Sequence, residues 1–112
     1  MTIYHITPSQ DWESARAAGI YQADSLSSEG FIHCSTREQV IATANRFYRA
    51  RAGLVLLCIE PERLTAPVKY ENLEGGQPLF PHIYGPLNLD AVSAALSFPP
   101  QADGAFEFPR AG

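Results

Sequence analysis

Ile3-Tyr4-His5-Ile6-Thr7-Pro8-Ser9-Gln10 begins as a β-branched and aromatic run and turns at once into a helix-starting signal. About Ile3 to Ile6 reads as a strand, and Thr7-Pro8-Ser9-Gln10 has the form of a capping box with proline at the first helical position. The arrangement returns in Glu29-Gly30-Phe31-Ile32-His33-Cys34-Ser35-Thr36. There Gly30 leads into a second strand, Phe31 to Cys34, and Ser35-Thr36-Arg37-Glu38 repeats the capping box. Each strand carries a histidine, the side chain most easily tuned for proton transfer near neutral pH. The third and last histidine, His82, lies in the dense segment Phe80-Pro81-His82-Ile83-Tyr84-Gly85-Pro86.

Outward from these stretches the elements are simple. Trp12, Ala15 and Ala18 give the first helix a modest apolar stripe, and Gly19 stops it. Tyr21 to Glu29, with Ser25, Ser27 and Ser28, reads as a loop. Val40, Ile41, Ala44, Phe47 and Tyr48 form the buried face of a second helix that Gly53 ends. Leu54 to Glu60 reads as a central strand buried on both faces, terminated by Pro61. Val68 to Glu71 is a further strand, Gly75-Gly76 a turn, and Phe80 to Tyr84 a strand or extended loop. Val92, Ala94, Leu96 and Phe98 alternate, which favours a strand over a helix from Ala91 to Phe98. Asp103-Gly104 makes a hairpin turn, with Phe106 and Phe108 on a returning strand and a frayed tail from Pro109. Two early helices followed by strands predict an α+β domain with a largely antiparallel sheet.

The chain of 112 residues suits a single domain, 1–112, with an ordered core over about 3–108. Hydrophobic residues at 46% and charged residues at 18% are those of an ordinary globular protein. A net charge of -4 argues against general nucleic-acid binding. A small anionic ligand is still allowed, because Arg37, Arg46, Arg49 and Arg51 lie in or near one helix. Cys34 and Cys58 read as reduced core thiols. No secretory signal opens the chain, and the longest apolar run, Leu54 to Ile59, is too short for a bilayer. The expectation is a cytoplasmic protein with no membrane partner.

Gly75-Gly76 lacks the spacing and lysine of a phosphate loop. His5, His33, His82, Cys34 and Cys58 show neither helical ligand spacing nor a Cys-x-x-Cys pair, so no metal is expected. His33 and Cys34, adjacent on a strand, point to opposite faces, which disfavours a Cys–His nucleophile pair. What remains is a cleft that uses His5 and His33 as hydrogen-bonding groups, with Tyr84 or Tyr4 as a stacking face. The helix starts at Pro8 and Ser35 would bring free N–H groups suited to a phosphate. The plainer alternative has each histidine packed as a half-buried strand residue.

Tyr4-His5-Ile6-Thr7, Trp12, Ala15, Gly19, Glu29 to Thr36, Leu54 to Ile59 and Phe80 to Asn88 together resemble the bacterial domain of unknown function 952. The resemblance runs from Ile3 to about Phe108. That family in turn resembles, distantly, the ADP-ribosyltransferase-like fold, and within it the RNA 2′-phosphotransferases. The resemblance implies a split sheet and a cleft for a transferase acting on NAD or on an ADP-ribosylated or 2′-phosphorylated substrate; the alternative is a non-catalytic nucleotide-binding or partner-binding module on the same fold. By it His5 matches the histidine that meets a ribose hydroxyl of NAD, and His33 the residue that holds the nicotinamide end. Thr7, Ser35, His82 and Tyr84 would line the cleft, and Arg37 or Arg46 would meet phosphate. The glutamate that such transferases carry on a later strand has Glu71 as its nearest counterpart in chain order. The arginines that surround the 2′-phosphate in the phosphotransferases have no counterpart close before His33.

Overall fold

The apolar run Leu54–Ile59 lies in the middle of a three-stranded antiparallel sheet, buried along almost its whole length. The computed structural model describes residues 1–109. Its strands are Ile3–Pro8 (β1), Ile20–Tyr21 (β2), Ile32–His33 (β3), Leu54–Ile59 (β4), Val68–Glu71 (β5), Phe80–Ile83 (β6), Leu87–Asn88 (β7) and Val92–Ser97 (β8). The helices are Ser9–Ala18 (α1), Asp24–Glu29 (α2) and Val40–Phe47 (α3). Three antiparallel sheets result, in the orders β1-β4-β8, β3-β6-β5 and β2-β7. The first two touch where Tyr4 and Ser35 exchange backbone hydrogen bonds of 2.8 Å each way.

Successive side chains of a strand point to opposite faces, and the two sides of β1 and β4 build two cores. Ile3, Leu57 and Ile59 pack with Ala15 of α1, Tyr21, Ile32, Ile83 and Leu87. Ile6, Leu54 and Leu56 pack with Val40 and Ala44 of α3 and with Phe98 and Phe106. Each large apolar side chain so buried contributes roughly 1.5–3 kcal/mol. The central strand is what the two cores share.

The α+β class stands, and the strands expected over 54–60, 68–71 and 91–98 form as β4, β5 and β8 with ends within one residue of those bounds. Several local expectations do not. Tyr21 to Glu29 is no simple loop: it holds α2, which Gly30 ends at φ +90°, so the described residues form three α-helices rather than two. The capping box at Thr7 is absent, because β1 runs on to Pro8 and α1 has no side-chain cap. Thr7 turns inward instead. The second box is displaced by one residue: the Thr36 N–H donates to Gln39 Oε1 at 3.0 Å, while Ser35 is held in the bridge to Tyr4. Helix α3 stops at Phe47, well before Gly53, and Phe47 is 65% exposed rather than core. After Tyr48 the chain turns to bond the C-terminal region, where the Ala50 N–H donates to the Gly104 carbonyl at 2.8 Å. The turn at Asp103-Gly104 forms, but no returning strand follows it. The Phe106 N–H donates to Asn45 Oδ1 of α3 at 2.7 Å, so a helix side chain takes the bond a sheet would have used. Of the tail expected to fray, residues 110–112 lie outside the described residues.

Gly85 lies two residues beyond the end of the strand that carries His82. A Cβ there would stand 2.8 Å from the Ala66 Cβ, so Gly85→Ala is expected to cost about 1–3 kcal/mol through overpacking. Urea denaturation checks this, and an unchanged midpoint would show that the 66–67 segment yields freely.

Candidate functional site

Strand alternation sorts the residues of β6 between core and cleft. Pro81 and Ile83 are buried on one side, while Phe80, His82 and Tyr84 occupy the other. Register then carries this second side across the sheet. His82 stands opposite His33 of β3 and Lys69 of β5, and Phe80 stands opposite Glu71. The result is a face of histidines, aromatic rings and a carboxylate beside the junction of the two larger sheets. It opens into a cleft of about 790 Å³, within the range that small-molecule sites occupy. Residues of β1, β3, α3 and the connection from Asn72 to Pro78 complete its walls. Phe47 and Leu73 on those walls are 65% and 64% exposed.

His82 is buried and stacks on Phe31, with ring centroids 4.3 Å apart and planes at 24°. Its Nδ1–H donates to Glu71 Oε1 at 3.0 Å, and the Tyr84 hydroxyl donates to the same oxygen. These two donors, Tyr84 first, hold the Glu71 carboxyl below its ordinary range and keep it ionised. The same bond raises the Tyr84 phenol. Glu71 Oε2 makes no hydrogen bond among the described residues. The His33 ring crosses that of His82 at 5.3 Å and 76°, and its Nε2 meets Glu29 Oε2 at 3.0 Å.

His5 is placed differently from the expectation. Its Nδ1 lies 2.6 Å from the His33 carbonyl oxygen, which can only accept, so Nδ1 carries the proton. Burial pushes its pKa down from 6.5 to about 4, leaving Nε2 as an acceptor at neutral pH. The Tyr21 hydroxyl, 2.8 Å away, therefore donates to Nε2, and its oxygen accepts from the Thr7 hydroxyl at 3.0 Å. Burial also pushes the Tyr21 phenol up to about 12. Although His5 borders the cleft, both its nitrogens are spent inside the protein, where they tie β1 to β3 and β2. The expected contact to a ribose hydroxyl has no free ring nitrogen to make it.

Ser35 lines the cleft, with its hydroxyl 3.4 Å from that of Thr43. Thr7 does not; it is 1% exposed and belongs to the buried chain through Tyr21. Tyr84 acts from behind Glu71 rather than as a cleft wall. Arg37 is drawn away, its guanidinium 3.6 Å from the Phe108 ring centroid, whereas Arg46 borders the cleft. Sequence reasoning missed Phe31 and Glu29, the partners of the two cleft histidines. The spacing Glu29-x-x-x-His33 was a usable signal for one of them.

Among the described residues no group of three or more His, Cys, Asp or Glu side chains is placed to hold a metal ion. Cys34 and Cys58 are free and buried, and burial pushes both thiols up. Their thiolates are thus disfavoured as nucleophiles. No described helix is long and apolar enough to cross a membrane.

Comparisons with known proteins agree with this architecture. The crystal structure of protein CC0527 from Caulobacter crescentus, a structural-genomics target, is 36% identical and superposes with a TM-score of 0.86 over 96% of this chain and 94% of that one. The solution NMR structure of CC0527 is 35% identical, with a TM-score of 0.80 over 93% and 90%. No functionally curated protein matches the sequence. The family model described as "Protein of unknown function (DUF952)" matches residues 6–95, and the chain belongs to that family.

Proposed function

We propose that this protein is a transferase of the ADP-ribosyltransferase-like fold that breaks the nicotinamide–ribose bond of NAD. The observation that carries this reading is Glu71, an ionised carboxylate on a later strand, bonded to His82, whose ring His33 crosses, in a cleft of nucleotide size. Cleavage of that bond builds positive charge on the ribose, and a fixed anion aimed at developing charge lowers the barrier. Glu71 Oε2 is the atom for that role. His33 and Ser35 hold the nicotinamide end, and Arg46 meets the pyrophosphate. His5 is a positioning residue that fixes the backbone of His33. Three glutamates and one arginine border the cleft, a balance that favours the cationic nicotinamide ring over the phosphate of a 2′-phosphorylated or ADP-ribosylated substrate.

A second reading keeps the cleft as a nucleotide-binding module without turnover. The engagement of both His5 nitrogens inside the protein favours it.

Thermal-shift titration with NAD, ADP-ribose and a 2′-phosphorylated ribonucleotide, together with chromatography of released nicotinamide, separates these readings. Ligand at about 100 times its dissociation constant adds roughly 2.7 kcal/mol of apparent stability. A shift with NAD and release of nicotinamide are expected. A shift without release supports the binding module, and no shift with any of the three sinks both.

A further inference from the structure

We infer that His82 is the general base of the site and that the acceptor it activates is a hydroxyl group, of an alcohol or of water. This rests on the reading of the cleft as a site of nicotinamide–ribose cleavage. His82 Nδ1–H is committed to Glu71, so the neutral ring carries its lone pair on Nε2. Nε2 makes no hydrogen bond among the described residues. Among the described residues no buried side-chain nitrogen or oxygen lacks a partner, so this atom keeps some exposure. His82 is one of the residues that line the cleft. A ring stacked on Phe31 and oriented by a carboxylate has two parts of the arrangement that activates hydroxyl nucleophiles, the base and its orienting group.

The charged and titratable groups around this ring are consistent with the assignment. Glu71 and Lys69 face it from β5, His33 from β3 and Tyr84 from its own strand end, with Glu29 engaging His33 on the far side. Lys69 lies with Nζ 4.7 Å from the Tyr84 ring centroid rather than on the His82–Glu71 pair. In the step itself the C1′–N bond breaks and its electron pair leaves with nicotinamide, which departs neutral. A lone pair on the acceptor oxygen forms the new C1′–O bond. The acceptor proton moves to His82 Nε2, and the imidazolium so formed is balanced by Glu71 until it returns the proton to solvent. A guanidinium acceptor would have to surrender its proton to a far stronger base, and a carboxylate acceptor has no proton to lose.

The test compares wild type, His82→Asn and His82→Ala by nicotinamide release from NAD across pH, with methanol or agmatine as added acceptor. Asn keeps an N–H where Nδ1 donates to Glu71 but has no basic nitrogen, so it separates folding from proton transfer. Expected are a fall of roughly 10²–10⁴-fold in kcat/KM, loss of the ascending pH limb, and partial rescue of His82→Ala by free imidazole. Methanol should give a methyl ADP-riboside in the wild type, and agmatine no adduct. If the wild type releases nicotinamide but His82→Asn retains the rate and the pH limb, the base is another group and only this inference falls. An agmatine adduct overturns the acceptor assignment. A wild type that releases no nicotinamide overturns the function on which the inference rests, and the inference with it.

Discussion

Acidification from pH 7.5 to 4 is expected to remove about 3 kcal/mol of folding stability through His5 alone. Its pKa is 6.5 in an ordinary environment and about 4 in the fold, because burial disfavours the charged ring. Between those values the unfolded chain binds a proton that the folded chain refuses. Stability from this group is therefore complete above pH 6.5, erodes as pH falls through the window, and is gone near pH 4. Glu60 and Glu71, both held below the ordinary carboxylate value of 4.5, contribute in full above that value and lose their contribution only as pH falls below it, so they leave the upper part of the window to His5. His5→Gln removes the titration. It also loses the paired bonds to Tyr21 and the His33 carbonyl, for a cost at pH 7.5 of roughly 2–4 kcal/mol. Urea denaturation of both proteins at several pH values gives the decisive comparison: the stability difference should shrink by about 3 kcal/mol between pH 7.5 and 4. Parallel curves would mean that His5 takes its proton in the folded state at little cost.

On the proposed function, replacing Glu71 by glutamine is expected to reduce nicotinamide release by about 10²–10³-fold while the protein stays folded. The glutamine fills the same space and offers an oxygen to Tyr84 and His82, so the bonds that seat it persist. What it lacks is the charge. An interaction that strengthens only as positive charge builds on the ribose affects kcat more than ground-state binding. The NAD-induced thermal shift should accordingly survive in Glu71→Gln while turnover is lost. If turnover is retained, the carboxylate only seats His82. If the shift disappears with it, Glu71 is a ground-state ligand contact.

Much of the fold was legible because burial writes a period into a strand. Leu54 to Ile59 is apolar on both sides since each side meets its own core, and Val92 to Ser97 alternates since only one side is covered. The same period separated His33 from Cys34 correctly: Cys34 is in the core and His33 is exposed. The caps were less legible. Thr7 and Ser35 have the chemistry of helix caps, but a cap competes with every other partner that the fold brings near. Tyr21 and Tyr4 won. Helix α2 was hidden because a six-residue, serine-rich segment carries too few apolar positions to show a helical period.

Sequence by itself determined the class of the domain, its central strand and its buried thiols, since these depend on local pattern and composition. It also marked all three histidines. All three border the cleft, and only the tertiary structure decided what each of them is bonded to. His33 and His82 are distant in sequence yet directly opposite in register, and Glu71 reaches His82 through the pairing of β5 with β6. His5 lies in an equally suggestive run, but the fold closes Tyr21 and the His33 carbonyl over its two nitrogens. A histidine's role is set by what occupies its two nitrogens and by whether its charge can be solvated. Neither is a property of the residues beside it in the chain.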